Sequence, residues 1–179
     1  MGTQTPWGQS QHKTVCAPGI ILYTTARHGG YHVSPTRNEL IPAVLRRADG
    51  WYEEDCDWGA VVWTFREYFS TKHVQQAERT IIDWAPYAYE ALTGAVLQPG
   101  QSFRKDADTF ESNNKGNYVS MSAYGDHHKE VPAGYVAVHA KRAEPADERW
   151  FLVPLAEYRN GQHWFVINPD VHQEITPLA

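Results

Sequence analysis

Between Asp57 and Gly94 apolar residues recur at intervals of three and four, the clearest helical pattern in the chain. Trp58, Val61, Val62, Phe65 and Phe69 share one face of a helix that Asp57 is placed to cap. Val74, Ala77, Ile81, Trp84, Ala88 and Leu92 form a second stripe, running from a cap at Ser70 to a stop at Gly94, with a kink expected near Asp83 because Pro86 removes a donor. The flanks read as strands. Residues 20–26 and 31–33 suit a β-hairpin across Arg27-His28-Gly29-Gly30, where glycines permit positive φ. Segments 118–124, 135–141, 149–153 and 163–167 are aromatic and β-branched, and bounded by Gly, Pro and Asn. Strands, then helices, then strands predict an α+β fold: an antiparallel β-sheet of about five to six strands with two to three helices packed on one face.

Several finer expectations follow. Asn160-Gly161, between Tyr158-Arg159 and Gln162-His163, is the strongest hairpin signal in the chain, and Pro154 belongs at a sheet edge or a bulge. Pro35 and Pro42 impose an irregular turn followed by a short helix over 39–48, with Leu40, Ile41, Val44 and Leu45 on one face and Asp49-Gly50 ending it. The polar stretch 98–116 reads as a long loop, a feature that is often functional. Residues 1–18 read as an extended N-terminal arm pinned by Trp7, and 19–179 as a single α+β domain without internal repeats.

The charge balance narrows the function classes. With 16 Lys and Arg against 21 Asp and Glu, and no basic cluster, no direct nucleic-acid binding is expected. No apolar run approaches bilayer length and the N-terminus lacks a basic segment followed by an apolar one, so a cytoplasmic protein with no membrane partner is expected. Cys16 and Cys56 match no zinc or redox spacing, and the acids around Cys56 raise its thiol pKa, against a nucleophilic role. No phosphate loop, calcium loop, zinc-protease helix or nucleophile elbow occurs, and no cofactor is expected.

Three clusters could carry chemistry. His28 on its double-glycine turn could act as a general base, or be incidental to a solvated turn. Glu53, Glu54, Asp55 and Asp57 could hold a divalent cation or work beside His28; alternatively Asp57 caps the following helix, Glu54 and Asp55 lie before its positive end, and Glu53 is solvated. Asp126 and His128 could share a metal if their loop curls, though no third ligand suggests itself. His139, within an apolar strand, reads as a hydrogen-bonded sheet residue.

Thr5-Pro6-Trp7-Gly8, His28-Gly29-Gly30, Trp51-Tyr52-Glu53-Glu54-Asp55 and Phe151-Leu152-Val153-Pro154 with Glu157-Tyr158 together give the chain a likeness. It resembles an uncharacterised domain family of proteobacterial plasmids, integrative elements and phages. The resemblance transfers no catalytic residues. It implies a context, because small acidic proteins of such regions often act against host defence, including restriction and CRISPR systems. The expectation is an anti-defence inhibitor, of anti-CRISPR or anti-restriction type, acting by protein-protein interaction. It would bind a host defence protein or nucleoprotein complex through an acidic and aromatic surface that includes His28, Glu53, Glu54, Asp55, Asp126 and His128. The alternative is a small hydrolase or nucleotide-acting enzyme using His28 with Glu53 or Glu54, with or without a metal.

Overall fold

The computed structural model describes residues 2–160 and 164–178. The chain forms two compact units, Met1–Asp106 and Ala107–Ala179, each with its own core. The fold is mixed α+β with antiparallel sheets.

In the first unit β1 (Gln4–Thr5) and β2 (Gly8–Gln9) make a small ribbon around buried Thr5, whose hydroxyl donates to the Gly8 carbonyl at 2.7 Å. β3 (His12–Ala17), β4 (Ile20–Thr24), β5 (Gly29–Val33) and β6 (Trp51–Glu53) follow in a sheet of that order. The segment read as an arm therefore contains three strands, and β3 is a sheet member paired with β4. The hairpin forms in the register Ile20 to Val33 through Thr24 to Gly29.

α1 (Pro35–Asn38) starts at Ser34, with Pro35 in its first turn, where no N–H is needed. It replaces the helix expected over 39–48. Pro42 interrupts that pattern, and of its supposed face Ile41 is fully buried while Leu40 and Val44 are exposed. The loop before β6 is tied instead by Tyr52, whose buried hydroxyl donates to Asn38 Oδ1 at 2.6 Å and accepts the Arg47 amide at 3.0 Å.

α2 (Trp58–Thr64) buries Ala60, Val61 and Val62 in the core that Ile20, Tyr31, Val33, Ile41 and Tyr52 supply from the sheet side. α3 (Thr71–Trp84) is capped by Ser70, which accepts the His73 amide at 3.3 Å. The kink expected at Pro86 is a full break. Ala85 leaves helical geometry, and α4 (Pro86–Thr93) begins anew with proline in its first turn and ends on Gly94 at φ 73°. α5 (Phe103–Asn113) occupies the stretch read as a loop. Its polarity hid a cap, since buried Ser102 accepts the Lys105 amide through its hydroxyl at 3.4 Å, and a stripe of Phe103, Ala107 and Phe110 at helical spacing. The division between the units falls within this helix.

The second unit is a five-stranded sheet built from β7 (Tyr118–Tyr124), β8 (Tyr135–Arg142), β9 (Asp147–Pro154), β10 (Val166–Ile167) and β11 (Gln173–Ile175), in the order β10-β7-β8-β9-β11. Val136, Val138, Ala140, Phe151 and Val153 line its core, with Leu155 and Tyr158 of α6 (Leu155–Asn160) packed against them. Pro154 pairs only with Tyr135, beyond the reach of β11, so its missing donor breaks no bond on that side. Tyr158 and Arg159 are helical rather than a hairpin arm, and the expected turn at Gly161 lies outside the described residues. His172 is the buried polar group of this core: the Asn168 amide donates to Nδ1 at 3.1 Å, which leaves the proton on Nε2, 3.0 Å from Glu157.

The strands expected to share one sheet thus belong to two sheets among the described residues. Periodicity marks a strand but does not say which strand it pairs with. No described helix is long and apolar enough to cross a membrane.

Candidate functional site: an acidic and aromatic face

The β4–β5 turn is held by Thr25, whose hydroxyl donates to the His28 carbonyl at 2.7 Å and accepts the Arg27 and His28 amides, each at 3.2 Å. That geometry sends the His28 ring toward the turn after β6. Its Nδ1 lies 3.7 Å from Glu53 Oε1, 3.9 Å from Glu54 Oε1 and 3.9 Å from Asp55 Oδ2. The histidine and the carboxylates that the sequence places some twenty-five residues apart therefore meet, at separations outside hydrogen-bond reach. They meet in the open, with 54% of the His28 side chain and 69% of the Asp55 side chain exposed to solvent.

Glu53 is not merely solvated. Its Oε2 accepts the Asp55 amide at 2.8 Å and the Cys56 amide at 3.2 Å, closing the turn, while Oε1 is the atom turned to His28. Asp57 stands at the N-cap position of α2 without making a side-chain cap; its carboxylate faces Arg47 at 3.7 Å. The Cys56 thiol is pushed up by partial burial and by Glu53, Asp57 and Asp55, which keeps it a poor nucleophile.

The double glycine serves close approach rather than positive φ, which neither residue adopts. A Cβ on Gly29 would sit 2.7 Å from the Tyr23 carbonyl oxygen and 2.8 Å from Glu54 Oε2, and one on Gly30 would overlap the Tyr52 carbonyl oxygen and the Trp7 ring. Gly30 is the seat on which Trp7 rests.

Glu53 pairs with Gly30 and Trp51 with His32, so these residues share the sheet face opposite buried Tyr52. On that face Trp7 meets Trp51 edge-on at 5.7 Å and 87°, Tyr23 packs 5.5 Å from Trp51, and the His32 ring lies 4.4 Å from it. Burial lowers the His32 pKa, partly opposed by Asp49, and the ring belongs to the aromatic cluster rather than to the His28 group. Sequence reasoning treated Trp7 only as a pin and did not bring Trp51 to the site. The signal available was the alternation Trp51-Tyr52-Glu53, which puts an indole and a carboxylate on one face of a short strand.

The other expected site residues lie in the second unit. Asp126 Oδ2 accepts the Gly134 amide and His128 Nδ1 accepts the Glu130 amide, each at 3.4 Å. No third donor joins them among the described residues, where His28, Glu53 and Asp55 form the sole metal-competent trio, each offering an atom within 4.8 Å of the others. His139 stacks on Trp150 at 5.0 Å with Nε2 3.2 Å from Glu148, a sheet-surface arrangement. A cleft of about 740 Å³ in the same unit, bounded by Phe110, Lys115, Met121, Lys141 and Trp164, contains none of the expected site residues.

No curated protein and no solved structure matches the chain. The family model of a domain of unknown function, DUF7007, matches residues 1–115, a span that takes in the whole first unit and the His28, Glu53, Glu54 and Asp55 cluster. With well over half its length matched, the chain belongs to the DUF7007 family.

Proposed function

We propose that the protein is a non-enzymatic binding protein, an anti-defence inhibitor of the kind carried by mobile genetic elements. It docks the acidic and aromatic face of its first unit onto a basic site of a host defence protein or nucleoprotein complex. The observation that carries this reading is the grouping of Glu53, Glu54 and Asp55 around His28 on an open surface, with no described lysine or arginine within 4.0 Å of any of the three. Some carboxylates elsewhere in the chain have internal cations: Glu90 has Lys105, Asp83 has Arg79, and Asp147 has Arg142 and Arg149. An acidic cluster without a described lysine or arginine partner, beside partly buried indole rings, suits a partner surface whose Arg and Lys ordinarily hold phosphate. The mobile-element context comes from the family resemblance.

The test replaces Glu53, Glu54 and Asp55 together with Lys. Capture of a nucleic-acid-handling defence protein from host lysate should be lost, with the far-ultraviolet circular dichroism spectrum unchanged. Undiminished capture by the folded variant overturns the reading.

A second reading, a small hydrolase or nucleotide-acting enzyme using His28 with Glu53 or Glu54, is favoured by the three-donor grouping of His28, Glu53 and Asp55. Stoichiometric metal in the purified protein, absent from His28→Ala, supports this enzyme. Metal-free protein that still captures its partner excludes the metal-assisted form of this enzyme.

A further inference from the structure

The cleft of about 740 Å³ in the second unit is built where the chain leaving α5 is tied to the sheet. The Lys115 carbonyl accepts the Ala143 amide at 3.1 Å and the Glu144 amide at 2.8 Å, which fixes that chain beside the end of β8. Lys141 of β8 pairs with Val119 of β7, so both lysines reach the same opening. Their ammonium groups face only exposed carboxylates, Glu144 at 3.5 Å from Lys115 and Glu148 at 3.9 Å from Lys141, beyond ordinary hydrogen-bond length. Much of the remaining wall is apolar: Val119 and exposed Met121 from β7, with Phe110 and Trp164, whose rings stack on each other at 5.4 Å and 25°. Asp108 and Glu111, three residues apart on one side of α5, line the cleft one to two turns before Lys115.

Two ammonium groups without short partners suit a phosphate, an apolar wall suits a planar ring, and carboxylates accept the N–H donors on a ring's edge. The volume lies in the range of about 300–1,000 Å³ typical of pockets that enclose a small organic ligand. Inorganic phosphate would leave the apolar wall uncovered, and an uncharged ring would leave the lysines unused. A nucleic-acid strand is disfavoured by the balance of 16 Lys and Arg against 21 Asp and Glu. We propose that this cleft binds a free nucleoside monophosphate, its phosphate held by Lys115 and Lys141, its base against the wall of Phe110, Val119, Met121 and Trp164, and the amino group of the base toward Asp108 and Glu111. The site is independent of the docking face. It lies in the other unit, and only its α5 side falls within the residues 1–115 that the family model matches.

The experiment titrates adenosine 5′-monophosphate into the isotope-labelled full chain and follows the amides of Lys115, Val119, Ser120 and Lys141 and the indole N–H of Trp164. These signals should shift saturably with a Kd below about 1 mM, while adenosine, ribose 5-phosphate and inorganic phosphate, each lacking part of the match, should bind about ten-fold more weakly or worse. Lys115→Gln and Lys141→Gln alter exposed side chains and should each weaken the nucleotide about five- to ten-fold, leaving adenosine unaffected. Met121→Glu, at an exposed position, brings a carboxylate into the cleft and should abolish nucleotide binding. Ribose 5-phosphate or inorganic phosphate binding as tightly as the nucleotide overturns the assignment, because the apolar wall then contributes nothing. Adenosine binding as tightly also overturns it, because the lysines then contribute nothing, and so does an absence of saturable shifts with the nucleotide. Reversing Glu53, Glu54 and Asp55 to Lys should leave nucleotide binding unchanged, so this inference and the docking reading fail separately.

Discussion

Replacing Gly30 with Ala tests the packing on which the proposed face depends. A Cβ there would overlap the Tyr52 carbonyl oxygen on the neighbouring strand and the outer edge of the Trp7 ring. The indole can swing away. The carbonyl cannot, because it belongs to β6, which is joined to β5 over three residue pairs: Gly30 with Glu53, Tyr31 with Tyr52, and His32 with Trp51. Relief therefore requires the two strands to part where Tyr52 enters the core. Overpacking of this sort costs about 1–3 kcal/mol where neighbours can yield, and a backbone clash places Gly30→Ala at the upper end, about 3 kcal/mol. For a 179-residue chain each kcal/mol lowers the melting temperature by about 2–4 °C, so a fall of about 6–12 °C is expected. Urea unfolding followed by circular dichroism measures the free energy, and Trp fluorescence separately reports displacement of Trp7. Gly29→Ala supplies the comparison, since its Cβ would meet one backbone oxygen and one movable carboxylate, and should cost less. A Gly30→Ala protein within about 1 kcal/mol of the parent would refute the account of why glycine stands there.

Tyr52→Phe strands two buried partners, Asn38 Oδ1 and the Arg47 amide, and should cost about 2 kcal/mol in urea unfolding; Tyr68→Phe, whose hydroxyl meets Arg37 on the surface, should cost far less. Ser70→Ala removes the bond to the His73 amide at the start of α3 and should lower stability by about 1 kcal/mol, with recovery in Ser70→Asp. Burial, with Cys16 adding to it, pushes the Tyr31 phenol from its ordinary 10 up to about 12. The folded state thus holds this proton more tightly than the unfolded chain, so the stability it contributes is complete below pH 10 and lost as pH rises to about 12. Urea midpoints recorded across that window should fall, and Tyr31→Phe should flatten the decline; an unchanged slope would remove Tyr31 as its source.

What could be read from the sequence was local. Ser70 and Gly94 marked helix ends correctly because a cap and a left-handed stop are decided within one turn. α5 escaped because surface polarity dominates its composition, while the residues that make it a helix are one buried serine and three spaced apolar side chains. Asp57 looked like a helix cap by position, yet Arg47, ten residues earlier, draws its carboxylate away. The meeting of His28 with Glu53, Glu54 and Asp55 required knowing that β5 pairs with β6 across an intervening helix and loop, and no spacing rule contains that. The aromatic half of the face was hidden for a related reason. Trp7 joins Trp51 only because a glycine in a third segment leaves a gap for it.

The divided duty of Glu53 limits how this surface can change over time. One carboxylate oxygen secures the Asp55 and Cys56 amides and the other is presented outward, so the residue cannot be traded for another without loosening the loop that positions its neighbours. Glu54 and Asp55 make no side-chain bond to backbone amides and are free of that constraint. If a partner alters its basic surface, the compensating substitutions should accumulate at those two positions, with Glu53 remaining as the fixed point around which the rest of the face is retuned.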